Sequence, residues 1–325
     1  MVSRPCPEDG KASAQAWVFP GQGSQQVGMG LDLYEAFPVA RDVFQEANEE
    51  LGLPLSRLCF EGPEDTLRQT INAQPAIMAV SLACLQAALE AGCFQEQPPA
   101  FVAGHSLGEF TALVAAGALT FPDGLRLVRE RGRLMQEAGD RVPGAMAANI
   151  GLPEDKVAEL CDQTRAEVCN LNSPGQAVIG GTREAVARAI EEAKARGARQ
   201  AIHLNVSGAF HSSLMRPAAE GMTKAVARTP FADAQPPIVA NSTAQAITSA
   251  EAIRRELLEQ FRRPVLWQRS VEYMIENGVT TFVEIGPGRV LTALIRRIDG
   301  STNTKNIGDV PSIRREAECG DRSDE

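Results

Sequence analysis

Gly104-His105-Ser106-Leu107-Gly108 sets a serine between two glycines in the pattern G-x-S-x-G. Phe101-Val102-Ala103 before it reads as a strand and residues 109–118 after it as a small-residue helix, the context that a nucleophile elbow requires. Glycines relieve the crowding at such a turn, so the hydroxyl stands free above the sheet. The helix N-terminus beneath it favours negative charge developing on a carbonyl oxygen. A serine hydroxyl attacks only when a base within reach takes its proton, and the chain has three histidines. His105 adjoins the serine, but neighbours at a sharp turn point apart, which suits a packing role. His203 lies in the alternating run 201–205, where a polar strand face accounts for it. His211 follows the irregular stretch Val206-Ser207-Gly208-Ala209-Phe210 and precedes a helix, and that loop placement makes it the expected base.

Other chemistries find less support. Cys6, Cys59, Cys84, Cys93, Cys161, Cys169 and Cys319 form no Cys-x-x-Cys pair or zinc-like spacing, so a reducing, cytoplasmic setting and no metal site are expected. Cys84 sits in the apolar run 76–89 and reads as an inert buried thiol. That run is shorter than the roughly 20 residues of a membrane helix, and no membrane association is expected. The loop from Gly21 to Gly30 fails the dinucleotide pattern because Gln26 stands where the third glycine belongs, and no Gly-Lys-Ser/Thr follows it.

The elements that must position these residues alternate. Trp17-Val18-Phe19 reads as a strand ending at Pro20, followed by helical patterns over 33–51, 63–69 and 74–92. After the elbow a helix is expected over 122–138 and a break at Pro143-Gly144. The texture then changes to strand 145–150, helix 154–163, strand 168–179, helix 183–196 and strand 200–204, the order of a small ferredoxin-like unit. Helix 215–228, strand 238–240, helices 249–261 and 265–277 and strand 281–285 resume the larger pattern. The fold class is therefore α/β: a large α/β-hydrolase-like domain with a parallel sheet (16–142 and 207–300), interrupted by a ferredoxin-like α+β subdomain (143–206). Residues 1–15 read as a flexible leader and 301–325, polar and charged, as a disordered tail.

The 325 residues carry 44% hydrophobic and 22% charged side chains, ordinary for a globular chain with a substantial core. Aromatics are only 5%, a balance suited to helices packed on a sheet. With 41 acidic against 32 basic residues the net charge is −9, which repels phosphate backbones and excludes nucleic acid as an expected partner.

Several motifs occur together and in order: Phe19-Pro20-Gly21-Gln22-Gly23-Ser24-Gln25, Gln74-Pro75-Ala76, Gly104-His105-Ser106-Leu107-Gly108-Glu109, Arg131-Gly132-Arg133-Leu134-Met135-Gln136, Asn172-Ser173-Pro174-Gly175-Gln176, Val206-Ser207-Gly208-Ala209-Phe210-His211-Ser212 and Gly286-Pro287-Gly288. In this the chain resembles the malonyl-CoA:acyl carrier protein transacylases over about residues 15–300. The resemblance implies that Ser106 attacks the malonyl thioester with His211 as base, and that the backbone N–H groups of Gln22 and Leu107 form the oxyanion hole. It implies a malonyl-serine ester, later attacked by the phosphopantetheine thiol of an acyl carrier protein, and so ping-pong kinetics in fatty-acid or polyketide synthesis. It further implies that the backbone carbonyl of Gln260 orients His211 and that Arg131 holds the malonyl carboxylate. Phe210 and Asn172 would shape the substrate pocket. Malonyl-CoA is then a substrate, and no bound cofactor is implied.

Arg131 makes chemical sense in that role, since a guanidinium fork can hold a carboxylate with two parallel charge-assisted bonds. Helix periodicity alone places it among Arg126, Arg129 and Arg133 as one of a solvated set. An acidic carrier protein would favour basic surface at Lys194, Arg196 and Arg199 or at Arg254, Arg255, Arg262 and Arg263. Two other readings compete: an acyl hydrolase that edits stalled carriers with water as acceptor, and a carrier-docking module without catalysis.

Overall fold

A computed structural model describes residues 14–94 and 98–320, and in them two sheets divide the strands. The chain enters through β1 (Ala14–Phe19), whose apolar end is fully buried, and turns at Pro20. Helices α1 (Leu31–Ala36), α2 (Pro38–Leu51), α3 (Leu55–Glu61), α4 (Glu64–Arg68) and α5 (Thr70–Glu90) lead to β2 (Phe101–Gly104), α6 (Leu107–Ala115) and α7 (Phe121–Arg141). The second sheet follows with β3 (Gly144–Ile150), α8 (Glu154–Thr164), β4 (Glu167–Ser173), β5 (Gln176–Thr182), α9 (Arg183–Ala195) and β6 (Gln200–His203). The chain then returns through a 3-10 turn to α10 (Arg216–Arg228), β7 (Ile238–Val239), β8 (Ala246–Ile247), α11 (Ala250–Glu259), α12 (Trp267–Glu276), β9 (Val279–Ile285), α13 (Val290–Ile298), β10 (Asn303–Ile307) and α14 (Val310–Gly320).

The first sheet runs in the order β10-β9-β1-β2-β7-β8, parallel except for the short antiparallel pair β7 and β8. Parallel strands need crossover helices, and these cover the sheet with the main apolar core, in which α5 and α7 pack side by side. The second sheet, β4-β5-β3-β6, is wholly antiparallel and keeps its own core of Leu152, Val157, Leu160, Ile179, Val186 and Ile190. Its β-α-β-β-α-β order is ferredoxin-like. The α/β assignment and the two-unit architecture are thus those of the protein.

Several details differ from expectation. Pro38 opens α2 after Phe37 leaves helical geometry, so the pattern over 33–51 is two helices. The run 168–179 is a hairpin, reversed at Pro174-Gly175, because Gly175 takes a φ of 69° there. α5 spans 21 residues and is apolar enough to cross a membrane, but 83% of its most apolar window is buried inside the protein. The tail is not disordered where it is described. β10 pairs in parallel with β9, and Ile307 and Ile313 are buried against the main core. Its polar residues belong to an edge strand with exposed faces, which composition does not separate from coil. Of the expected leader, 1–13 lie outside the described residues, while Ala14 and Gln15 belong to β1. Residues 321–325 likewise lie outside them.

Candidate active site

β2 and α6 meet in a turn too tight for side chains on its glycines. A Cβ on Gly104 would fall 1.9 Å from the carbonyl carbon of Gly108, and one on Gly108 would fall 2.0 Å from the Phe19 carbonyl oxygen. With those two positions bare, Ser106 is left as the apex, with φ 52° and ψ −100°. A non-glycine residue holds such a conformation only when its surroundings fix it. Here the Asn241 side chain does so, accepting from the Ser106 N–H at 2.7 Å and donating to the Gly104 carbonyl at 2.7 Å.

His211 also has a positive φ, 59°. Its Nε2 lies 2.7 Å from Ser106 Oγ, and its Nδ1 lies 2.8 Å from the Gln260 carbonyl oxygen. A carbonyl can only accept, so Nδ1 carries the proton and Nε2 presents its lone pair to the hydroxyl. Burial, and after it the positive charge of Arg131, lowers the His211 pKa to about 3. The ring is therefore neutral at physiological pH, the form a base needs.

Arg131, on α7, is 1% exposed. Its Nη1 donates to Gln74 Oε1 at 2.9 Å, and its Nη2 donates to Gln260 Oε1 at 2.8 Å and to Ser106 Oγ at 3.0 Å. The rings of Phe110 and Phe261 each lie 5.3 Å from the guanidinium carbon, a distance for cation-π attraction. Among the described residues it makes no direct ion pair, and its Nε–H has no acceptor. Burial lowers its pKa to about 10, opposed by the charge of Glu109, so it stays cationic at neutral pH.

A cleft of about 340 Å³ opens onto these groups. Gln22, His105, Ser106, Arg131, Met135, Met146, Asn170, Leu204, Phe210 and His211 all contribute to its wall. Gly21 lies so close to the His105 carbonyl that the Gln22 loop rests directly on the elbow, and Gln22 Nε2 donates to Thr70 Oγ1 at 3.1 Å. Leu107 is the first residue of α6, so its N–H has no acceptor within the helix. Expectation and structure part at Asn172, which is not on the cleft wall. Its Oδ1 lies 2.9 Å from His105 Nε2, while Asn170, two residues back on the same strand, reaches the cleft. His105 packs against Trp267 with ring centroids 5.8 Å apart, and His203 stands exposed on β6.

Three polar residues of this network were not assigned a role from the sequence: Gln74, Glu109 and Asn241. The first two stand inside motifs already quoted, and a buried polar side chain in a mostly apolar helix was the available signal for Gln74. Asn241 stands two residues past the end of β7, where a polar residue reads as an ordinary strand end. On the expected basic surface Lys194 pairs with Glu191, Arg196 with Glu192, and both Arg262 and Arg263 with Glu259.

Residues 16–320 match the family model of the acyl transferase domain. The chain is 45% identical over 303 residues to the malonyl CoA-acyl carrier protein transacylase of Bacillus subtilis strain 168, covering 92% of this chain and 94% of that one. It superposes on the acyl-carrier-protein-S-malonyltransferase of Bartonella henselae with a TM-score of 0.90 and 42% identity, over 94% of this chain and 99% of the other. A malonyl-transacylase solved in complex with its type II PKS acyl-carrier protein gives a TM-score of 0.90 and 43% identity, over 94% and 100% of the two chains. On motif order, fold and similarity along nearly its whole length, the chain belongs to the acyl transferase domain family and, within it, to the malonyl CoA-acyl carrier protein transacylases.

Proposed function

We propose that this chain moves a malonyl group from coenzyme A to the phosphopantetheine thiol of an acyl carrier protein, by way of a malonyl ester on Ser106. The observation that carries this reading is the buried guanidinium of Arg131, which opens onto the cleft and lies 3.0 Å from Ser106 Oγ without a carboxylate of its own. A buried cation that lacks a carboxylate suits a substrate that brings one.

In the first half-reaction His211 Nε2 takes the hydroxyl proton as Ser106 Oγ bonds to the thioester carbon. The tetrahedral oxyanion accepts hydrogen bonds from the Leu107 and Gln22 N–H groups. Collapse breaks the carbon–sulfur bond, and the departing coenzyme A sulfur leaves with the proton from Nε2. In the second half-reaction the carrier thiol gives its proton to Nε2, its sulfur attacks the ester carbon, and Ser106 Oγ recovers the proton as it leaves. Gln260 holds Nδ1 throughout with a neutral carbonyl, which stabilises imidazolium less than a carboxylate would. An activated thioester tolerates that weaker support. Burial is the main cause of the low basicity of His211, and the charge of Arg131 comes after it; the malonyl carboxylate, paired with Arg131, offsets that second cause, so the base strengthens as the substrate seats.

Phe210, buried beside His211, supports a tight pocket around a short acyl chain. The reaction draws on this chain's own groups, with malonyl-CoA as substrate and fatty-acid or polyketide assembly as its setting. Cys59, Cys84, Cys93, Cys161 and Cys169 are all free thiols, which supports a cytoplasmic location.

Intact mass tests the proposal. Malonyl-CoA should add one malonyl mass to the protein, and a carrier protein bearing phosphopantetheine should remove it and gain it. Loss of the adduct to water alone would identify a hydrolase, and no adduct at all would leave carrier docking without catalysis.

A further inference from the structure

Behind the elbow lies a buried carboxylate that the proposed reaction does not use. Glu109, 1% exposed on the first turn of α6, accepts from the Asn241 N–H at 3.3 Å through Oε1 and from Gln260 Nε2 through Oε2. It thereby joins the residue that braces the Ser106 turn to the residue that holds His211. Burial and the charge of Glu256 push its pKa well above the usual carboxylate range, while Gln260, Asn241 and the charge of Arg131 pull it down.

The Gln260 amide is held at both ends. Its Oε1 accepts from Arg131 Nη2 at 2.8 Å, and its Nε2 donates to the Ser106 carbonyl at 3.1 Å as well as to Glu109. Arginine can only donate and a carbonyl can only accept, so the amide has one orientation. Glu109 is the side chain that grips it from behind, through Oε2. Among the described residues the guanidinium itself touches only neutral acceptors, and the Glu109 carboxyl stands behind one of them, across the Gln260 amide.

Resting on the malonyl-transfer reading above, we propose that Glu109 is a positioning residue for the acyl carboxylate. Its bond to the Gln260 amide fixes the Arg131 guanidinium beside Ser106, and so sets the preference for acyl groups with a free carboxylate over uncharged ones. Glu109→Gln would put an NH2 group where both neighbours are N–H donors, so one of the two bonds must break. Gln260→Met would remove the amide while keeping the main-chain carbonyl that His211 uses.

The test is single-turnover loading of the full chain with malonyl-CoA and with acetyl-CoA, read by intact mass. Each variant should lower the malonyl-to-acetyl ratio about tenfold, the loss expected when a charged group loses a hydrogen-bond partner. The loss should fall chiefly on half-saturation by malonyl-CoA, and the double variant should be no worse than the poorer single one, because both act through one chain of bonds. An unchanged ratio, or equal losses for both acyl groups, overturns the proposal. If Glu109→Gln does not fold, as judged by circular dichroism, Gln260→Met decides alone on the same criterion. A wild type that takes up no malonyl mass overturns the transfer reading and this proposal with it. A wild type that loads malonyl, with variants that keep its ratio, overturns this proposal only.

Discussion

The two units of the molecule use polar residues in opposite ways. In the large unit Ser106, His211, Arg131, Gln260, Glu109 and Asn241 form one continuous hydrogen-bonded group, mostly buried. In the small unit the ion pairs Lys156–Glu159, Lys194–Glu191 and Arg196–Glu192 lie on helix surfaces, over a core of aliphatic side chains. Buried polar groups are costly unless every member is satisfied, whereas exposed pairs are screened and nearly neutral. The large unit therefore accepts a cost in stability in exchange for fixed geometry, and the small unit is stabilised by ordinary packing while it supplies Met146, Asn170 and Leu204 to the cleft wall.

Four measurements bear on that contrast, in falling order of effect. Ser106→Ala should abolish the malonyl adduct and cut transfer by roughly 10⁴-fold or more, since no other group can take its place. Residual adduct in that variant would show that the nucleophile lies elsewhere. Arg131→Ala should lower malonyl loading by roughly 10- to 150-fold and spare acetyl loading, because only malonyl loses a partner. Parallel losses on both substrates would reduce Arg131 to a structural cation.

The third measurement is a pH profile. Since His211 is held neutral down to about pH 3 in the free protein, kcat/KM for malonyl loading should pass through pH 6.5 on its acid side without the fall of an ordinary histidine. An acid limb centred near pH 6.5 would contradict the burial argument. Stability has the same sign. The unfolded chain takes up this proton below about pH 6.5 while the folded one resists it, so His211 withdraws stability as pH falls from there toward 3. The smallest effect belongs to the small unit: Lys194→Ala, at the exposed pair with Glu191, should change unfolding free energy by about 1 kcal/mol or less in urea titration, with loading unaltered. A drop in loading would mean that the small unit does more than form a wall.

The same contrast explains what could be read from the sequence. The elbow was legible because its requirements are local: two bare glycines and a serine at fixed spacing between a strand and a helix. His211 was legible from its loop, but its partner at Gln260 came from the resemblance alone, since a main-chain carbonyl leaves no trace in residue type. Glu109 and Asn241 act through contacts across more than a hundred residues, which spacing does not reveal. Plain strand alternation would put positions 170 and 172 on one face; the register shift between Leu171 and Ser173 in β4 breaks that equivalence, and a one-strand reading of 168–179 contains neither the shift nor the hairpin. The strand and helix after position 300 were missed because their polar faces resemble coil, although Ile307 and Ile313 carry the burial.

The small unit leaves and rejoins the large one at nearly the same place. A Cβ on Gly139 would meet the Ser207 carbonyl oxygen at 2.4 Å, and one on Gly144 would meet the Ala209 side chain at 2.8 Å. Such a doorway, with its two jambs in contact, makes the insert a cassette. It could be exchanged for the corresponding piece of a relative, or bridged by a short turn, without prying the surrounding sheet apart. Because one jamb continues α7 from Arg131 and the other runs straight into His211, a graft that widened the doorway would disturb acyl choice and proton transfer together.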